Sequence, residues 1–411
     1  MNELLITNPK DLDEKYDVVI IGGGPAGLAA AVYASKYKVS TLLIEKKSEI
    51  GIPIQCGEFL PSPTEISDIL PNAKHTTLLT EYPSSIKRNH TSKIEIYSPS
   101  CNTYTVNFKG VVVNREKYDK WLATLAIRNG ANIAIKSKAI GITANTVKVL
   151  MSNHYEVKIQ YEVLIIAAGA SSPFKSIILN KYDDYDISYT YQWVMNNLEL
   201  DSNVIYMFSG LRYSPGAYGW VIPRGSDEAN VGVGIRKPYM SKQSRIKDYL
   251  NNLVYVHPIV SKMTSKAIVI SRIGGVIPVG PPPNSAIKDN MMFIGDVANM
   301  VIASIGAGVP TAVISGTLAG KVSAEVINNK YEKLEEFDLL WKKEIGGELS
   351  RAYKIRKMMD PFLKSDKLIE LALAILRGKY LSEIIRTRIP SFINYLYTLY
   401  EKILNRSTIS L

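Results

Sequence analysis

From Tyr16 the chain reads YDVVIIGGGPAGLAAAVYASKYKVSTLLIEKK, an apolar β-branched run, a glycine turn, an alanine-rich stretch and a second apolar run without interruption. This succession predicts strand, helix and strand, one βαβ unit. Further on, NREKYDKWLATLAIRNGANIAI sets Tyr118, Leu122, Leu125 and Ala126 on one helical face, closes at Gly130 and leads into another strand. The segment KVLMSN to YEVKIQYEVLIIAAGASS predicts an alternating pair of strands, then a fully apolar strand at 163–167 that ends in a glycine turn. Between about Tyr185 and Lys288 the pattern becomes alternating and aromatic, as in an antiparallel sheet with its own layer. MMFIGDVANMVIASIGAGVPTAVISGTLAGKVSAEVI returns to strand, glycine turn and small-residue helix, and from about Lys330 the period is helical.

These elements predict an α/β chain with α+β insertions: a Rossmann-type nucleotide-binding domain, an antiparallel-sheet substrate domain and a C-terminal helical region. The expected divisions are 1–184 for the first part of the nucleotide domain, with a small substrate-domain insertion near 60–110, then 185–288 for the substrate domain. Residues 289–329 complete the nucleotide domain, and 330–411 form the helical region.

Gly22, Gly24 and Gly27 form GxGxxG directly after a strand and directly before a helix, the context that gives the pattern meaning. Gly22 permits the turn, Gly24 admits a pyrophosphate to the backbone, and Gly27 lets helix and strand pack closely. Pro25 and Ala26 open the helix, whose N-terminus favours phosphate. Glu45, with Lys46 beside it, ends the next strand at the spacing of a carboxylate that binds a ribose hydroxyl. One such fingerprint is present, which points to a single tightly held dinucleotide. A second contact is FIGDVA: Gly295 and Asp296 follow a strand, and Gly306, Ala307, Gly308 and Val309 open the next helix. An aspartate there suits a ribityl hydroxyl, and the helix N-terminus stabilises negative charge on a reduced isoalloxazine.

Composition narrows the picture further. With 49 Lys+Arg against 38 Asp+Glu the 411-residue chain carries a formal charge of +11, which favours an anionic partner or is simply a lysine-rich surface. No nucleic-acid motif accompanies the charge. The two cysteines, Cys56 and Cys101, form no CxxC or Cys/His cluster, so no metal site is expected. MNELLITNPKDLDEK lacks the basic and apolar parts of a signal peptide, and no apolar run approaches the roughly 20 residues of a membrane span. A cytoplasmic protein is expected, with any membrane contact peripheral at the inner surface, where the basic, aromatic C-terminal helices are either a lipid-facing surface or a solvated cap.

These residues resemble the flavoprotein group of para-hydroxybenzoate hydroxylase, and within it most closely the geranylgeranyl reductases, including archaeal digeranylgeranylglycerophospholipid reductases. The resemblance runs from IGGGPAGLAAA and Glu45 through IGIPIQCGE and NREKYDKWL to FIGDVA. Its most discriminating part is AYGWVIPRGSDEANVGVGI, similar to Tyr-x-Trp-x-Phe-Pro followed by Asn-Val-Gly-x-Gly, with Tyr218, Trp220, Pro223, Asn230, Val231, Gly232 and Gly234 matching and Ile222 in place of phenylalanine.

The resemblance implies FAD as cofactor and saturation of isoprenoid C=C bonds in geranylgeranyl lipids. It makes Gln55, Cys56, Gly57, Arg115, Ala168 and Gly169 cofactor neighbours, and Cys56, Tyr218 and Trp220 candidate catalytic residues. Residue chemistry alone also allows Cys56 as a packed thiol and the two rings as a core pair. Two departures stand out: Ala303 and Ala307 replace the family's proline and a glycine, and Ala168 stands where hydroxylases have Asp before Gly169. The implied partners are an isoprenoid lipid and an electron donor such as a ferredoxin, a reduced nicotinamide or a deazaflavin. The rival readings are a flavin monooxygenase and an electron-transfer flavoprotein that reduces quinone.

Overall fold

The computed structural model describes residues 5–152, 155–179 and 183–395. Two eight-stranded sheets organise them. At the centre of the first lies Lys15–Ile21, with Val18, Val19 and Ile20 wholly buried, as a parallel strand covered on both faces requires. Thr41–Ile44 runs parallel on one side and Glu156–Ile166 on the other, while Asn132–Ala134 and Met291–Phe293 extend the parallel arrangement outward. The chain order thus reverses at the central strand, where open α/β sheets form a ligand crevice at the carboxyl ends. Ile21 stands opposite both Ile44 and Ile166, and Ile166 opposite Phe293. Loops starting at Gly22, Glu45, Ala167 and Ile294 therefore leave the sheet at one level.

The second sheet runs in the order Ile268–Pro278, Ile187–Asn196, Glu228–Ile235, Gly219–Pro223, Val204–Phe208, Lys87–Tyr97, Thr103–Val113 and Phe59–Pro61. Residues 59–113 and 187–278 thus share one layer, whereas Ile287–Lys288 pairs in the first sheet. Neighbours are antiparallel except Val204–Phe208 against Lys87–Tyr97. The sheet therefore differs from the expected wholly antiparallel layer at the junction where the segment 59–113 meets the segment 187–278, which no hairpin joins. One face is closed by the helix Ile246–Tyr255, with Val221, Val231, Val233, Leu250 and Leu253 wholly buried. The opposite face looks toward the crevice.

The helices Pro25–Lys36 and Val309–Ile327 meet without intervening side chains. A Cβ on Gly316 would lie 2.1 Å from the Ala26 carbonyl oxygen, and one on Gly320 2.2 Å from that of Ala30. The C-terminal helices, Gly347–Met359, Asp366–Leu376 and Lys379–Ile385 among them, are tied to the body by buried polar contacts. Glu344 accepts from the backbone amides of Lys74 and His75 and from the His75 ring at 2.7 Å. Arg386 donates to both carboxylate oxygens of Glu65, at 2.8 and 2.7 Å, and to the Asn107 carbonyl. The second part of the SFINYLYTLYEKIL stretch, from residue 396, lies outside the described residues. Among the described residues no helix is long and apolar enough to cross a membrane.

Candidate active site

A cavity of about 620 Å³ lies between the carboxyl edge of the first sheet and the open face of the second. One end is lined by Lys46, Gln55, Cys56, Gly57, Ala168, Gly169, Asp296 and Gly306 to Val309, and by Tyr218 and Trp220. The other end is apolar, with Phe59, Ile94, Phe108, Ile205, Met207 and Ile385. The fingerprint residues Gly22, Gly24, Pro25, Ala26 and Gly27, with Glu45 and Gly295, stand behind the polar end on the same loops.

The fingerprint glycines divide by what surrounds them. Gly22 has φ +111°, and a Cβ there would sit 2.4 Å from the Ala167 carbonyl oxygen; one on Gly27 would sit 1.9 Å from that of Gly22. Both are required by the fold. A Cβ on Gly24 or Gly169 would meet nothing within 4 Å. Internal packing therefore gives no reason for glycine at position 24, whereas close approach of a pyrophosphate to the first helical turn does, since its amides lack intrahelical acceptors. The Glu45 carboxylate accepts from the amides of Gly23, at 2.6 Å, and Lys47, at 2.8 Å. It shapes the loop, and each oxygen keeps a further lone pair.

Asp296 follows Gly295, whose φ of +65° turns the chain. Burial pushes its carboxyl up to about 6, opposed by Lys175 and Arg115. Lys175, itself 1% exposed, is pushed down by burial to about 8, with Asp296 and Asp186 acting the other way. The SIGAG loop folds back through the Ile302 amide to the Ala307 carbonyl, 3.0 Å, and the Gly306 amide to the Ile302 carbonyl, 2.8 Å. Only Gly306 of this loop has a left-handed φ, +66°. Ala307 occupies an ordinary conformation, so the departure from glycine costs the loop nothing.

The segment from Gln55 to Glu58 is clamped to the second sheet. Gln55 donates to the Gly274 carbonyl at 3.1 Å, Gln192 to that of Cys56 at 3.0 Å, and Asn230 to that of Gly57 at 3.0 Å. Trp220 Nε1 in turn donates to Gln192 Oε1 at 3.1 Å. Glu58, at φ +68° and 2% exposed, accepts from the Arg115 amide at 3.1 Å and from Asn230 at 3.1 Å, and forms an ion pair with Arg224 at 2.8 Å. Gln192, Asn230, Glu58 and Lys175 were not singled out as site residues from the sequence. Gln192 had a faint signal as the polar residue in the aromatic strand YTYQWV, and Glu58 only its place after Cys-Gly.

Tyr218 and Trp220 face the cavity together, their rings T-shaped at 6.1 Å, while Val221 between them and the next residue is wholly buried on the other side. The Tyr218 hydroxyl donates to the Ile305 carbonyl at 2.5 Å, and burial pushes it up to about 12. Its proton is thus directed at the backbone of the SIGAG loop. Cys56 Sγ accepts the Glu58 amide at 3.2 Å, and the residue lines the cavity. Arg115 stands behind the cavity wall: its guanidinium pairs with Asp119 at 3.1 and 3.2 Å within the same helix and acts electrostatically on Asp296 and Cys56. Burial would lower its pKa, but the Asp119 carboxylate outweighs that and raises it.

The sheet architecture agrees with known proteins. Residues 186–277 match the geranylgeranyl reductase catalytic domain and residues 16–182 the pyridine nucleotide-disulphide oxidoreductase family. A digeranylgeranylglycerophospholipid reductase of Thermoplasma volcanium is 32% identical over 385 residues, 87% of this chain and 91% of that protein. One of Methanocaldococcus jannaschii is 30% identical over 407 residues, 94% and 98% of the two chains. The crystal structure of a geranylgeranyl bacteriochlorophyll reductase-like protein from Thermoplasma acidophilum superposes with a TM-score of 0.79 at 28% identity, covering 94% of this chain and 99% of that one. A flavin-dependent brominase shares the fold alone, with a TM-score of 0.68 at 17% identity. With relatives 32% and 30% identical over 87% and 94% of its length, the chain belongs to the geranylgeranyl reductase family of FAD-dependent oxidoreductases.

Proposed function

We propose that this chain saturates the isoprenoid C=C bonds of a digeranylgeranyl glycerophospholipid, with FAD stretched between the fingerprint loop and Asp296 and the lipid tail in the apolar end of the cavity. The observation that carries the reading is that one continuous cavity joins the loops of the parallel sheet to a wall of Phe59, Ile94, Phe108, Ile205 and Met207. A slot with so few polar groups suits a long hydrocarbon and excludes water from the alkene. The domain divisions at about 184, 288 and 329 remain part of this proposal, as do the cofactor contacts.

When bound, reduced FAD would supply the hydride for one alkene carbon. The chain holds the double bond against the reacting face through the Tyr218 and Trp220 rings. Cys56 Sγ gives the proton to the other carbon, and Gln192 and Asn230 hold the Cys56 and Gly57 backbone in place. Tyr218 is a positioning residue through its bond to Ile305. Asp296 and the N-terminus of Val309–Ile327 would hold the ribityl chain and favour negative charge on the reduced ring. The electron donor is external; a ferredoxin, a reduced nicotinamide or a deazaflavin each has the required chemistry.

Anaerobic incubation of chemically reduced holoenzyme with the geranylgeranylated phospholipid, followed by mass spectrometry, is the test. Uptake of one H₂ per double bond is expected. Cys56→Ala should slow it about a hundredfold with flavin absorbance retained, and Tyr218→Phe by less than about tenfold. Flavin bound with no uptake from any isoprenoid lipid rejects the reading.

A further inference from the structure

Three exposed apolar side chains on the helix Asp366–Leu376 share one face: Leu368, Leu371 and Ile375, 37%, 51% and 46% exposed. Their spacing of three and four residues makes a single stripe. The opposite side of the same helix is committed to the protein, with Ile369, Ala372, Leu373 and Leu376 buried. Both of its acids are engaged by the protein: Asp366, though exposed, accepts the Leu211 amide at 2.8 Å, and half-buried Glu370 accepts the Ser100 amide at 2.6 Å. The outward arc is left with Lys367, and exposed Lys364 and Arg377 lie just beyond the two ends. Apolar side chains with a basic rim, beside acids already engaged by backbone amides, are complementary to an anionic bilayer surface.

The placement matters because the following helix, Lys379–Ile385, puts Ile385 in the apolar wall of the cavity. We propose that the Leu368, Leu371 and Ile375 face docks on anionic lipid headgroups and brings the apolar end of the cavity to the membrane. The purpose assigned to this docking rests on the lipid-reductase reading; the docking itself is measured without it. The stripe enters the headgroup boundary while Lys364, Lys367 and Arg377 meet phosphate. A lipid substrate then has a short route from bilayer to cavity.

The full-length holoenzyme is sedimented with vesicles of phosphatidylcholine alone and of phosphatidylcholine with an equal part of phosphatidylglycerol, at low and high salt. Binding to the mixed vesicles that weakens with salt is expected. Leu371→Ser/Ile375→Ser should weaken it at least about tenfold, and Lys364→Glu/Lys367→Glu should remove the preference for the anionic vesicles. Saturation of detergent-dispersed isoprenoid lipid should be unchanged in both. Wild type that stays in solution overturns the proposal, as do variants that bind as well as wild type. So does a stripe variant whose one effect is to convert a dimer into monomers, since a second copy then covers the face. Vesicle binding without saturation of the dispersed lipid leaves the docking intact and rejects the substrate reading instead.

Discussion

Asp296 shows what a single buried carboxyl contributes when its loop is built for a ligand. Its pKa is raised from 3.8 to about 6 by burial. A raised folded-state value means the protonated form is the one the fold favours, so its contribution to stability is complete below 3.8 and is lost as pH rises through about 6. In the flavin-free protein Asp296→Asn should therefore raise the melting temperature above about pH 6 and change it little near pH 4, while weakening FAD binding by about tenfold or more. A variant that melts lower than wild type at every pH would contradict this account. Residues of this kind were partly legible: Asp296, Gly24 and Cys56 belong to motifs whose spacing has a chemical meaning. Gln192 and Glu58 were not, because their work is to hold the carbonyls and amides of distant residues, and nothing in a local pattern encodes such partners.

At the scale of elements, the seam between Pro25–Lys36 and Val309–Ile327 positions the two helix N-termini proposed to hold the cofactor. Gly316 and Gly320 are small because a carbonyl of the fingerprint helix occupies the space a side chain would take. Gly316→Ala should destabilise by about 2 kcal/mol and lower the flavin content of the purified protein, since relief of the clash displaces the helix that opens at Pro25. Thermal melts and the flavin-to-protein absorbance ratio check this. Unchanged values in both would show that the seam is not tight in solution. The strand-turn-helix reading of both segments stands in the structure because hydrophobic period and glycine placement are local properties. That the two helices touch is a long-range fact, which the small residues in SGTLAGK only hint at.

For the molecule as a whole, the C-terminal helices close one end of the cavity, and Arg386 is the anchor beside Ile385. Removing it leaves Glu65, 8% exposed, as an uncompensated buried carboxylate, so Arg386→Met should cost about 3 kcal/mol. The double variant Glu65→Gln/Arg386→Met should recover most of that, because the charge left behind is gone. Failure of the second change to restore the melting temperature would place the value of Arg386 in its contact with Phe108 instead, where the guanidinium lies 5.1 Å from the ring centre. By itself, the order of residues settled the parallel sheet, the dinucleotide fingerprint and the aromatic strand of Tyr218 and Trp220, since each depends on neighbours within a few turns or one crossover. Tertiary structure alone decided that the insertion expected near 60–110 joins residues 187–278 through a parallel pairing of Lys87–Tyr97 with Val204–Phe208, that the Tyr218 hydroxyl is spent on Ile305, and that Arg115 pairs with Asp119. Those outcomes depend on which surfaces meet after the chain has closed on itself, and the free energy of such meetings is written in pairs of residues far apart, not in any stretch between them.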